Sequence, residues 1–190
     1  MKKINKKLFI KETGRYGRGV FANANIKRGE VIYKMDGKKL TLKEVVNNIL
    51  SGKESEDDPL QVGRRTYIDL NEVSRTFNHS CNPNMGMRKR SELFALRDIN
   101  KEEELTYDYS LTIAPTEWQM QCKCGSSVCR KELKDVTSIS WKRLDEYREM
   151  GSIQTYMRKL LNEIKAGNYK MPRYEVIALE KLHSKPMNKI

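Results

Sequence analysis

The first half of the chain alternates apolar and polar residues in short runs broken by turn-forming residues, which predicts strands rather than helices. The runs are "LFIKE", "GRYGRGVFA" and "GEVIYKM", the last ending near Gly37, then "TYIDL", "ELFALRD" and "ELTYDY", each rich in branched or aromatic residues. One helix interrupts them. In "TLKEVVNNILSG", Thr41 and Glu44 have capping-box spacing and Gly52 is a C-terminal stop. "KESEDDP" is a charged surface loop.

After Cys129 the period changes to that of helices. Ile153, Tyr156, Met157, Leu160, Leu161 and Ile164 recur at helical spacing, with Ser152 placed to cap the start and Gly167 to end it. Such a stripe predicts a helix packed on the rest of the protein. Residues 168–190 carry two prolines and many lysines.

With 190 residues the chain can bury a real core, and no apolar run approaches the length of a membrane span. The start, "MKKINKKLFIKETG", is basic but lacks the apolar stretch of a secretory signal. The expected compartment is therefore cytoplasmic or nuclear, where thiols stay reduced. Net charge is +12, unevenly spread. Residues 1–40 hold 12 Lys/Arg against 3 Asp/Glu, residues 41–133 hold 13 against 15, and residues 134–190 hold 12 against 7. A basic surface suits nucleic acid or an acidic partner, or is simply solvated, while the slightly acidic middle suits a basic peptide.

In a reducing compartment the four cysteines are expected to bind metal rather than form disulfides. "CKCGSSVCR" sets Cys122, Cys124 and Cys129 in a C-x-C-x4-C array that can face one tetrahedral zinc. A structural site takes four ligands, and the remaining cysteine, Cys81, lies in "NHSCNPN". His79 is an alternative donor in that same stretch.

Three further segments occur in a fixed order: "GRGVFA" at 17–22, "RTFNHSCNPN" at 75–84 and "ELTYDY" at 104–109, followed by the cysteine array. Together they closely resemble the SET-domain protein lysine methyltransferases with a post-SET zinc segment, over roughly residues 8–133. The resemblance implies a mainly β fold with some helix, in which small twisted β-sheets surround a threaded pseudoknot. It divides the chain into a SET domain at 8–110, a post-SET zinc segment at 118–134 and a C-terminal helical extension at 138–190.

The same resemblance implies site residues. Gly17, Arg18 and Gly19 would grip S-adenosylmethionine through the main chain, where a Cβ would obstruct close approach. Arg75, Asn78 and His79 would hold its adenosyl and methionyl parts, with Tyr67 lining the pocket and Leu133 packing near the adenine. Cys81, Cys122, Cys124 and Cys129 would bind one structural zinc. Tyr109 matches the catalytic tyrosine, and Tyr107 the position that influences how many methyls are added. Where many members have a channel tyrosine this chain has Met35; Tyr33, two residues earlier and on the same strand face, could substitute for it.

The implied reaction is transfer of a methyl group from S-adenosylmethionine to the ε-amine of a lysine in a protein substrate, such as a histone or another basic protein. Nucleic acid is compatible with the basic ends but not required, and no membrane is expected. The competing reading is a zinc-stabilised basic module that binds nucleic acid or chromatin without catalysis.

Overall fold

A computed structural model of the chain describes residues 6–14, 17–53, 55, 58–171, 176–177 and 180. The opening strand-prone runs form an antiparallel hairpin, β1 (Leu8–Glu12) with β2 (Arg18–Ala22), in register from Leu8 opposite Ala22 to Glu12 opposite Arg18. Gly17 enters β2 at φ +85°, a left-handed conformation that a side chain would strain. β3 (Val31–Lys34) and β4 (Gly37–Thr41) follow. Thr41 and Glu44 then close the expected capping box on α1 (Leu42–Leu50).

β5 (Pro59–Gly63) and β6 (Thr66–Leu70) join β4 in a three-stranded sheet with β6 at its centre. A short α2 (Glu72–Arg75) leads to β7 (Asn78–His79). β8 (Met85–Arg88) and β9 (Glu92–Ala95) make a hairpin whose inner strand, β9, also pairs with β3. β10 (Thr106–Tyr107) runs parallel to β7. The strand expected through "ELTYDY" is therefore cut short at Tyr107. Asp108 accepts from the Ser110 N–H and caps a 3-10 turn, Tyr109–Thr112. β11 (Gln119–Gln121) and β12 (Glu132–Lys134) enclose the cysteine array, and α3 (Trp141–Glu149) and α4 (Thr155–Lys165) complete the described fold.

Strand alternation explains how the helices are recruited. Successive residues of β9 face opposite ways, so Leu93 and Ala95 enter a core with Val20, Ile32, Phe77 and Leu105, while Phe94 enters a second core. That second core takes Leu144 and Tyr147 from α3 and Met157, Leu160 and Leu161 from α4. The helical stripe read from the sequence is thus a packing face. Its expected cap is not Ser152: the helix starts after Gln154, which makes no side-chain cap bond, and Ser152 is buried against Gly86. Gly167 does follow the helix end, at φ +70°. Among the described residues no helix is long and apolar enough to cross a membrane.

Candidate functional site

The site begins where β2, β7 and the run into β10 meet. The 102–105 segment is stitched to β2 by three backbone bonds: Glu102 N–H to Ala22 O at 2.7 Å, Ala22 N–H to Glu103 O at 3.0 Å and Leu105 N–H to Val20 O at 2.8 Å. Asn84 crosses from the other side. Its Nδ2 donates to Glu104 O at 2.8 Å and its Oδ1 accepts from Thr106 N–H at 3.0 Å. These two bonds satisfy a buried amide and lock the 78–84 and 104–109 segments against each other.

Beside that crossing lies the glycine turn. Asn78 Nδ2 donates to Arg18 O at 3.0 Å and to Glu104 Oε1 at 2.7 Å. A Cβ added at Gly19 would lie 2.5 Å from Glu104 Oε1 and 2.9 Å from Asn78 Nδ2, so the backbone there can be this close only as glycine. The three sequence segments at 17–19, 78–79 and 104–109 therefore meet in one hydrogen-bonded patch.

Two tyrosines follow on the 104–109 segment. The rings of Tyr107 and Tyr109 are 4.8 Å apart between centroids. Burial pushes the Tyr107 phenol well above its usual pKa, so it stays neutral. Tyr109 Oη donates to Phe77 O at 2.8 Å, and Phe77 stacks on Tyr33 at 5.1 Å. Tyr33 is half-buried and packs on the same core as Tyr109, whereas Met35 is fully buried and holds Ser91 O through its N–H at 2.8 Å. The aromatic ring nearest this cluster from the third strand thus comes from Tyr33.

The four cysteines converge on one cluster with the buried Leu133. Cys81 Sγ is 3.8 Å from Cys122 Sγ, and the thiols of Cys124 and Cys129 interact with that of Cys122. Burial pushes the Cys81 and Cys122 thiols up. At Cys124 burial also opposes the thiolate, but backbone N–H donors of Cys81 and Ser126 and the neighbouring thiols outweigh it and bring the pKa to about 7.

His79 joins this cluster rather than the glycine turn. The ligand atoms of His79, Cys81, Cys122 and Cys124 all lie within 4.8 Å of one another. Burial, aided by the Arg130 charge, outweighs nearby Asp108 and lowers the imidazole pKa to about 4, so the ring is neutral. Its Nδ1 lies 3.2 Å from the Tyr109 N–H, and its Nε2 lies 3.2 Å from Cys81 Sγ.

Other residues picked from the sequence have partners of their own. The Arg75 guanidinium holds Leu70 O at 2.6 Å, Asp69 at 2.5 Å and Asp58 at 2.8 Å, bracing α2 against β6. Tyr67 lies on β6, opposite Leu40 and Gln61. The Arg18 side chain turns outward to Glu72, leaving its carbonyl to Asn78. Sequence reasoning missed Glu104, Asn84 and the buried carboxylate of Asp108, which takes Arg130 at 2.5 Å and Tyr147 Oη at 3.2 Å. Their partners are distant in sequence, and only the acidic residue between the two tyrosines of "TYDY" marks the place.

Residues 17–110 match the SET domain family. The chain is 34% identical over 141 residues to the putative histone-lysine N-methyltransferase ASHH4 of Arabidopsis thaliana, covering 67% of this chain and 40% of that protein. It is 33% identical over 136 residues to human histone-lysine N-methyltransferase 2B, covering 62% of this chain and 5% of that protein. The structure of Arabidopsis thaliana SUVH6 in complex with SAM superimposes with a TM-score of 0.57 at 26% identity, over 69% of this chain and 34% of that one. The chain thus spans well under half the length of these relatives.

Proposed function

The chain belongs to the SET-domain family through residues 17–110, and from that premise we propose that it is a protein-lysine N-methyltransferase using S-adenosylmethionine. The observation that carries the reading is that Asn78 bonds the Gly17–Gly19 turn through the Arg18 carbonyl, while its strand β7 pairs with β10, which leads into the adjacent rings of Tyr107 and Tyr109. The residues present suit the cofactor. Gly19 leaves no room for a Cβ, a Cβ at Gly17 would meet no other described residue within 4 Å, and an amide and a carboxylate flank the turn.

When bound there, S-adenosylmethionine supplies an electrophilic methyl on a positively charged sulfur. The chain's own residues do the rest. A lysine amine must be neutral to attack, and the apolar walls made by Tyr33, Phe77, Tyr107 and Tyr109 disfavour its charged form by desolvation. The Tyr109 hydroxyl has its proton engaged by Phe77 O, so its lone pairs can accept from the incoming amine and orient it. Tyr107, kept neutral by burial, can hold the amine or a water beside it but cannot take the proton as a phenolate. Catalysis in this reading is chiefly positioning.

Cys81, Cys122, Cys124 and Cys129 would hold one structural zinc, with His79 beside Cys81 as a supporting partner. The donor set fits: four thiols converge on one cluster, two of them buried. The C-x-C-x4-C segment at 118–134 then closes over the SET domain at 8–110, with the helical extension at 138–190 behind it. Residues 172–175, 178–179 and 181–190 of that extension lie outside the described residues.

Relatives described as histone-lysine methyltransferases support a histone or another basic protein as substrate, and a nuclear site of action. Calorimetry with S-adenosylmethionine tests the reading: saturable binding at one site per chain, weakened on the order of tenfold in Asn78→Ala, is expected from the loss of a buried amide's bonds. A basic chromatin-binding module without catalysis would instead bind DNA with steep salt dependence and ignore the cofactor.

A further inference from the structure

Behind the tyrosine pair, outside the segment that matches the family, the two C-terminal helices each place one phenol on the same five residues. Tyr147, fully buried on α3, donates its hydroxyl to Asp108 Oδ2 at 3.2 Å. Tyr156, on α4, donates its hydroxyl to Thr112 O at 3.0 Å. Asp108 and Thr112 bracket the 3-10 turn that begins at Tyr109, and Thr112 Oγ1 donates back to Tyr109 O at 2.8 Å. The other oxygen of Asp108 accepts from the Ser110 N–H at 3.2 Å and from Arg130 at 2.5 Å.

Two further contacts fasten the helical unit to the same region. Gln154, buried between α3 and α4, donates to Gln61 O at 3.1 Å, and the Gln61 side chain accepts from Ala114 N–H at 3.0 Å, just beyond the turn. Arg143 lies 4.5 Å over the Tyr147 ring, holding that phenol in place from solvent.

Resting on the proposed methyltransferase reading, we infer that the C-terminal helices are a clamp for the catalytic turn, with Tyr147 and Tyr156 as positioning residues that set the Tyr109 hydroxyl through Asp108 and Thr112. Packing alone does not require these two phenols. Leucine or phenylalanine would fill the same core, whereas both hydroxyls reach polar atoms of one short turn. The arrangement makes the helical unit part of the site rather than an appendage. A 3-10 turn has poorer internal hydrogen-bond geometry than an α-helix and gains from such outside support.

The test uses the zinc-loaded chain and the variants Tyr147→Phe, Tyr156→Phe and both together, which keep the rings in the core. Amide hydrogen exchange is followed in the 108–112 turn and, as a control, in the β1–β2 hairpin. Each lost buried hydrogen bond is expected to speed exchange in the turn by roughly fivefold, with the hairpin unchanged. Affinity for S-adenosylmethionine stays within about twofold, because neither phenol touches the glycine turn. Methyl transfer to core histones falls in kcat with little change in KM for the histone. Exchange in the turn equal to wild type, a uniform rise throughout the protein, or local loosening with unchanged kcat would each overturn the clamp. If the wild type transfers no methyl to core histones, it is the substrate or activity reading that fails, and the exchange arm alone decides the clamp.

Discussion

Tyr109 donates its backbone N–H to Nδ1 of His79 at 3.2 Å, and the opposite nitrogen of that ring lies 3.2 Å from Cys81 Sγ. One imidazole thus joins the tyrosine turn to the thiol cluster. All four cysteines share one cluster, and Cys129 is the fourth thiol of the proposed zinc site, with His79 beside Cys81. Wild type should contain one zinc per chain by elemental analysis, and Cys129→Ser should lose it. His79→Ala should keep its zinc but release it to a chelator on the order of tenfold more readily, the usual cost of removing a supporting partner. Full zinc in Cys129→Ser with none in His79→Ala would exchange the two roles.

Gly19→Ala tests the close approach at the glycine turn. Its Cβ would press on the Glu104 carboxylate and the Asn78 amide, which are bonded to each other at 2.7 Å. Displacing either side chain breaks that bond, and calorimetry should show S-adenosylmethionine affinity reduced by about tenfold or more. Unchanged affinity would move the cofactor away from this turn.

Asn84 carries no proposed chemistry, yet both ends of its buried amide hold the 104–106 backbone. Asn84→Leu leaves Glu104 O and Thr106 N–H without these partners. Urea titration should show a loss of about 1–3 kcal/mol for each group left unpaired, a sizeable share of a typical domain's margin of about 5–15 kcal/mol. A loss below about 0.5 kcal/mol would mean water replaces the amide at the crossing.

What the sequence made legible was mostly local. The Thr41 and Glu44 cap needs only residues three apart, and the alternation in "ELFALRD" needs only one strand. Ser152 failed as a cap because residue type does not say which way a side chain turns, and this one points under β8. The strand read through "ELTYDY" stopped early because Asp108 prefers to bond the Ser110 N–H two residues on. Of the candidate site, the glycines, tyrosines and cysteines stand out by their order along the chain. The Asp108, Arg130 and Tyr147 group was not, since its members lie 22 and 39 residues apart and no local pattern links them. Arg75 stands inside a telling segment, and its bonds to Leu70 O and Asp69 could not be read from that segment.

Tyr107 governs the number of methyls in the proposed reading. Its buried hydroxyl, beside Tyr109, can hold a water in the space a second or third methyl needs. Wild type should therefore favour mono- or dimethyl-lysine. Tyr107→Phe keeps the ring but frees that space, and mass spectra of a methylated peptide should shift towards higher states. Abundant trimethyl-lysine from wild type, or no shift in the variant, would refute the role.

Lysine methylation itself is tested most directly by incubating the zinc-loaded protein with methyl-labelled S-adenosylmethionine and a nuclear extract, then locating the label by mass spectrometry. Wild type should place label on lysine ε-amines. Tyr109→Phe, which keeps the ring but loses the hydroxyl that bonds Phe77 O, should bind the cofactor normally and transfer on the order of a hundredfold less. Label on residues other than lysine, or equal lysine labelling by wild type and Tyr109→Phe, would contradict the account.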